Sequence, residues 1–250
     1  MPSAVIDLSH HNPTPDWIRI RSAGVLGVIH KATEGTTYVD PQRETRLAAA
    51  KKAGLLTATY HFLRPGDMTK QMAHYLKTVD PVEGERMILD HEDANVSLAQ
   101  LERAVGTLLA SRPDLQITIY SGALIKQQLG STKSDLGALT SLWIAQYTNA
   151  AAPTWPRQTW PQWSLWQWTD KENVPGIAAP VDGNRWNGDE AGLERWLAPA
   201  GAKPVDTAVP PPPEPAPAPE PPRLPVVIDI AMPPGTEIDI VVNGKMLVSE

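Results

Sequence analysis

Residues 86 to 92 read R-M-I-L-D-H-E. Met87, Ile88 and Leu89 form an apolar run short enough for a buried strand and too short for a helix. The run ends in two acids, Asp90 and Glu92, with His91 between them. Side chains two apart on a strand point the same way, so Asp90 and Glu92 share a face with backbone positions about 6 to 7 Å apart, and His91 points away. In a parallel barrel, chemistry collects at the C-terminal ends of the strands, where the loops surround one mouth. One such run proves nothing about a barrel; eight of them would.

Seven further runs of the same kind surround it: A-V-I-D (4–7), G-V-L-G-V-I-H-K-A-T-E-G (24–35), L-L-T-A-T-Y-H-F (55–62), L-Q-I-T-I-Y (115–120), S-L-W-I-A-Q-Y (141–147), S-L-W-Q-W (164–168) and a last one near 180–184. Helical patterns separate the earlier ones. The segment 41–53 puts Leu47 and Ala50 on one face, 67–79 spaces Met68, Met72, Tyr75 and Val79 at helical intervals, and 97–110 opens on the N-cap signal S-L-A-Q. Strands alternating with helices predict an α/β fold with a parallel sheet, and eight strands predict its closure into a barrel. Between Tyr147 and Trp163, Pro153, Pro156 and Pro161 forbid a regular crossover helix. The expected architecture is therefore an irregular (β/α) barrel with about five helices and helix-free closing strands, with a classical eight-helix barrel as the alternative. A final helix over 189–197 would pack Leu193, Trp196 and Leu197 against the bottom or side of the barrel.

The chain has 250 residues, 42% of them hydrophobic, enough for a full core. It has no cysteine, which excludes disulfides and thiolate metal sites. A net charge of −6 without clustered Lys and Arg argues against nucleic acid as a partner. The N-terminus carries no signal-peptide pattern, and no segment approaches a membrane span, so no membrane insertion is expected. Phe62 is the only phenylalanine, whereas eight of nine tryptophans fall between Trp143 and Trp196. That skew suggests that some indoles face a ligand.

Composition changes near Pro199. Residues 1–199 are read as the barrel, and 200–225 as a Pro/Ala/Glu-rich linker that favours extended polyproline II. Residues 226–250 read as a small three-stranded β element, with Asn243-Gly244 as a hairpin signal. Three short strands need their apolar face covered, which points either to self-association as a homo-oligomer or to wall attachment. The absence of Trp and Tyr in the tail favours self-association.

Asp7, Asp90, Glu92 and Asp182 all follow strand-like runs. Four acids at one mouth repel each other, which raises at least one pKa and leaves a neutral acid able to donate a proton near neutral pH. Glycoside hydrolysis needs that arrangement, and so, with the acids ionised, does a site for a hard metal ion. The residue types by themselves do not separate the two. Tyr60, Tyr120, Trp143, Tyr147 and Trp166 end strands near the same mouth and are candidates for stacking on sugar rings. His61 reads as a buried, hydrogen-bonded histidine. Glu34 reads as a loop residue bonding backbone N–H groups, with a fifth active-site acid as the alternative, and Lys31 as a structural partner for one of the acids.

These residues resemble the family 25 glycoside hydrolases, the Chalaropsis-type lysozymes found among phage endolysins and secreted bacterial muramidases. The resemblance covers about 4–197 and rests on V-I-D-L-S-H-H (5–11), K-A-T-E-G (31–35), Y-H-F (60–62), L-D-H-E (89–92), I-Y-S-G (119–122), L-W-I-A-Q-Y (142–147), W-Q-W (166–168) and V-D-G-N (181–184), in the family's order. It implies an irregular barrel with five helices and a muramidase that cuts the β-1,4 bond between N-acetylmuramic acid and N-acetylglucosamine, without a cofactor or metal. By the same resemblance Glu92 is the general acid/base and Asp90 its assistant. Asp7 and Asp182 line the cleft, and Asn184 joins the substrate-binding set. Retention with substrate assistance is the expected course, a covalent intermediate the other. His30 and His91, which depart from the usual family pattern, are expected at outward or packing positions.

The same acids would serve a non-catalytic wall-binding module, or a metal-dependent hydrolase sensitive to EDTA. For the muramidase, the peptidoglycan glycan chain is the partner. A phage endolysin made in the host cytoplasm and released through a holin-type pore is the expected setting, with virion-borne or toxin-type export as alternatives.

Overall fold

The computed structural model describes residues 3–199, 240–242 and 245–247. In the first of these stretches eight strands close into a barrel: β1 (Val5–Leu8), β2 (Gly27–Glu34), β4 (Leu56–Phe62), β5 (Arg86–Asp90), β6 (Gln116–Ser121), β7 (Thr140–Ala145), β8 (Leu165–Glu172) and β9 (Val181–Trp186). A two-residue strand, β3 (Tyr38–Val39), folds back on the end of β2. Pairings from β1 through β8 are parallel where consecutive barrel strands meet. β9 is different: it runs antiparallel to both β8 and β1 and closes the ring. The expectation of a parallel sheet is corrected here. Only eight residues separate Glu172 from Val181, and a parallel return would need a crossover of a dozen or more.

Five helices occupy the connections between β1 and β7: α1 (Trp17–Ser22), α2 (Arg43–Lys52), α3 (Met68–Val79), α4 (Leu98–Ser111) and α5 (Ala123–Leu129). A single turn, α6 (Leu136–Leu139), precedes β7, and α7 (Glu190–Leu197) follows β9. Local chemistry sets their starts. Asp16, Asp67 and Asp189 each accept a backbone N–H of the first turn. Ser97 and Gln100 form a reciprocal capping box at α4, which satisfies two donors a helix start leaves unpaired. The β7–β8 and β8–β9 connections carry no helix.

Side-chain alternation divides the core into an inside and an outside. Val5, Ile29, Ala58, Ile88, Tyr120, Trp143 and Leu165 point into the barrel, and Leu193, Trp196 and Leu197 of α7 close its bottom. Met87, Leu89, Ile117, Ile119, Leu142, Ile144 and Trp166 point outward against the helices. Ile6, Leu8 and Val28 do the same against α1 and α2. At the lower end, the buried Arg86 donates to the Trp196 carbonyl at 2.6 Å and lies over the Trp196 ring at 4.2 Å. With apolar side chains filling the lower barrel, the open end is the upper one, where the strands end in acids.

The tail contains, among its described residues, an antiparallel pair, β10 (Ile240–Val242) and β11 (Lys245–Leu247). The expected linker 200–225 and most of the expected β element over 226–250, its Asn243-Gly244 turn included, lie outside the described residues.

Candidate active site

One cavity of about 200 Å³ opens at the upper end of the barrel, lined by Asp7, Asp90, Glu92, Asp182, Tyr60, Tyr120, Trp143, Tyr147 and Gln167. The four acids named from the sequence are thus brought together. Alternation explains how: Asp7 follows the inward Val5 by two, Asp90 follows Ile88 by two, and Asp182 sits in register opposite Asp7 on β9. Glu92 lies two residues past the end of β5, at the rim, with much of its surface open to solvent. A second hollow of about 330 Å³ continues from it, sharing Glu92, Tyr120 and Tyr147 and floored by Gly122, Ala123 and Ala145.

The acids are held in unequal states. Asp7 is buried, and burial together with the Asp182 carboxyl pushes its pKa well up, against the opposing hydrogen bonds from Asn184 and Gln167. Asp90 is buried too and is pushed well up by burial and by Glu92, with Lys31 opposing. Its Oδ1 is buried without a hydrogen-bond partner. Glu92 is raised by the protein around its carboxyl and by Asp182, and Lys31 and Arg64 pull it back. Asp182 is raised by burial, while its hydrogen bond with Asp7 acts the other way. Two carboxyls facing each other in a confined space share a proton more readily than they ionise together. Tyr60 and Tyr120 have phenols pushed well above the ordinary range by burial and by the acids, so they stay protonated.

The remaining expected residues separate into three groups. Tyr60, Tyr120, Trp143 and Tyr147 line the cavity. Asn184 is fully buried behind it, joining Trp143 Nε1 to Asp7. Trp166 lies elsewhere: its side chain is buried in the outer core and donates to the Gln146 carbonyl at 2.8 Å. Glu34 neither lines the cavity nor caps a loop, and both readings of it are corrected. Its carboxylate pairs with Lys31 and with Arg64, which keep it ionised below its usual range despite partial burial. His61 is fully buried between Thr33 and Gln71, and His91 bonds Gln128 in the outer shell.

Two residues were not singled out from the sequence. Gln167 is buried, lines the cavity and bonds Asp7, Tyr120 and Tyr147. Its signal was available, since it lies two residues after the inward Leu165. Arg64 bridges Glu34 and Asp93, the residue after Glu92, and stacks on Phe62 at 4.6 Å. Nothing local marked it, because its partners come from the end of β2 and from the loop after β5. Among the described residues, no group of three or more His, Cys, Asp or Glu has metal-binding geometry.

Comparison with known proteins agrees with this fold. The Glycosyl hydrolases family 25 profile matches residues 6–177. Lysozyme M1 of Streptomyces globisporus is 27% identical over 204 residues, covering 75% of this chain and 69% of that protein. The crystal structure of the bacterial lysozyme from Streptomyces coelicolor aligns with a TM-score of 0.68 and 26% identity over 79% of this chain and 97% of its own. A family GH25 lysozyme from Aspergillus fumigatus aligns with a TM-score of 0.65 and 25% identity over 79% and 100%.

Proposed function

Since this chain belongs to glycosyl hydrolases family 25, we propose that it is a peptidoglycan muramidase that cuts the β-1,4 bond between N-acetylmuramic acid and N-acetylglucosamine. The observation that carries the reading is the single cavity holding Asp7, Asp90, Glu92 and Asp182, with a second hollow beyond Glu92. A sugar chain laid across both would place its scissile bond near Glu92. A raised pKa keeps Glu92 protonated further toward neutral pH, as a general acid requires. The test is release of reducing ends from purified cell walls: the wild-type protein releases them, and Glu92→Gln abolishes the release while keeping the folded spectrum.

In the proposed course, Glu92 gives its proton to the glycosidic oxygen as the C1–O bond breaks. The substrate's own acetamido carbonyl oxygen bonds to C1, and Asp90, which lines the cavity, accepts the acetamido N–H. Water then attacks C1, the C1–O bond to the acetamido oxygen breaks, and Glu92 takes the water's proton. Asp7 and Asp182 hold the sugar and raise the proton affinity of the site. The first product formed has the β configuration, and a thiazoline analogue inhibits. Trapping a glycosyl-enzyme with a 2-fluoro sugar would instead favour a carboxylate nucleophile.

We place this activity in phage-type host lysis, with delivery to the wall through a membrane pore; virion-borne and toxin-type delivery are the alternatives. The support is the resemblance of the barrel's motifs to a family found among phage endolysins. Expression in a susceptible bacterium tests it, with lysis expected only when a pore-forming protein is co-expressed. Self-association through 226–250 belongs to the same proposal and predicts that full-length protein sediments as an oligomer and a 1–200 truncation as a monomer.

A further inference from the structure

Gln167 touches three groups at once. Its Nε2 lies 3.3 and 3.2 Å from the two oxygens of Asp7, and its Oε1 accepts from the phenols of Tyr120 and Tyr147, each at 2.8 Å. The direction of these bonds follows from its neighbour Asn184. Trp143 Nε1 can only donate, at 2.7 Å, and the Val5 carbonyl can only accept, at 3.2 Å. Asn184 therefore turns its oxygen to the indole and its nitrogen to Val5 and to Asp7 Oδ2, which it reaches at 2.7 Å. Asp7 Oδ2 is thereby an acceptor on this side. Gln167 turns its NH2 to the same Asp7 carboxyl and its oxygen to the phenols, so both phenols donate to it. A phenol has one proton. With that proton held by Gln167, the oxygens of Tyr120 and Tyr147 offer the cavity only lone pairs.

We propose that Gln167 is a positioning residue that sets the hydrogen-bond polarity of this wall: by holding both phenolic protons it makes Tyr120 and Tyr147 acceptors toward the substrate. The wall is then matched to sugar donors, an amide N–H or a hydroxyl, and mismatched to a carbonyl or ring oxygen. The inference rests on the glycosidase reading above. An amide is the side chain that donates to a carboxyl and accepts from two phenols without carrying charge. Methionine keeps the length and does neither. A glutamic acid does both while protonated, but once ionised it meets Asp7 with a second acceptor and adds charge to the cavity.

The groups facing this position are Asp7 from β1, Asp182 from β9, Tyr120 from β6 and Tyr147 beyond β7. Tyr60 and Asp90 stand across the cavity, with Glu92 at its rim. Every acid among them opposes ionisation of a glutamate at 167 and keeps it protonated in mildly acidic solution.

The experiment compares kcat/KM on purified walls for wild type, Gln167→Glu and Gln167→Met, each as a ratio to wild type at pH 7.5 and pH 5. Gln167→Glu should fall about 100-fold at pH 7.5 and recover to within about tenfold at pH 5, and Gln167→Met should fall about equally at both. Equal losses for the two variants at both pH values overturn the proposal, as does a Gln167→Met enzyme within twofold of wild type. Should either variant fail to fold, Tyr147→Phe decides, because Tyr147 is 55% exposed. It should weaken chito-oligosaccharide binding, measured by calorimetry, about tenfold; unchanged binding overturns the proposal. A wild-type protein that binds these sugars but releases no reducing ends would sink the glycosidase reading instead, and the binding measurement would still test whether the Tyr147 oxygen meets the sugar.

Discussion

Asp7 and Asp182 face each other as a registered pair across the antiparallel junction of β1 and β9, and both carboxyls enter the same cavity. Two strands of opposite direction thus deliver two acids to one point. The arrangement costs stability when both are ionised, and this gives the protein an unusual pH response.

The pKa values of Asp7, Asp90, Glu92 and Asp182 are all raised in the folded protein. In the unfolded chain they return to ordinary values near 4. Protons therefore favour the folded state, fully below the unfolded values, and that contribution is lost as pH rises through the folded ones. The melting temperature should fall between pH 5 and pH 8. Asp90→Asn removes one buried acid and should flatten this slope, raising the melting temperature at pH 8 by about 2 to 4 °C, equivalent to about 1 kcal/mol. Calorimetry of both proteins across that range checks it, and parallel slopes would refute it.

Arg64 is positive, close enough to lower the proton affinity of Glu92, and tied to Asp93 beside it at 3.0 Å. A general acid works only while protonated, so activity falls as pH rises through its pKa. Arg64→Ala removes a charge that favours ionisation and should move the alkaline limb of the kcat/KM profile upward by a few tenths of a pH unit. In about 1 M salt the difference should shrink, because half-exposed charges are screened.

Trp196 fills the bottom of the barrel, far along the strands from the acids, and its carbonyl holds Arg86. Trp196→Ala should cost about 3 to 5 kcal/mol and lower the melting temperature by roughly 10 °C. Turnover measured well below the new midpoint should stay within about twofold of wild type. A large loss of kcat with the fold intact would mean that the bottom of the barrel shapes the mouth.

The protein's part in the proposed chemistry is carried by carboxyls. Dialysis against EDTA should leave wall hydrolysis unchanged, and restoration of lost activity by Mg²⁺ or Ca²⁺ would favour metal-assisted hydrolysis.

Most of the barrel was legible because buried strands and capped helices leave local marks. The run ending at Asp90, the S-L-A-Q cap and the three prolines before Trp163 each dictate structure from neighbouring residues. The direction of β9 leaves no such mark in periodicity and is readable only from the short connection before it. The same two-residue alternation that paired Asp90 with Glu92 also assigns β8: Leu165 and Gln167 face in, and Trp166 faces out. Applied there, it would have exchanged Trp166 for Gln167. The pairing of Glu34 with Arg64 depends on how β2 and the end of β4 meet, which the sequence around either residue does not specify.

Because β9 both seals the ring and brings Asp182, the chain reaches its working form only when nearly all of the barrel has left the ribosome. A nascent polypeptide ending at β8 has three of the four acids but lacks the strand that aligns Asp7 through Asn184. Synthesis and competence are thereby separated in time, so a half-made copy has no complete site with which to attack a wall.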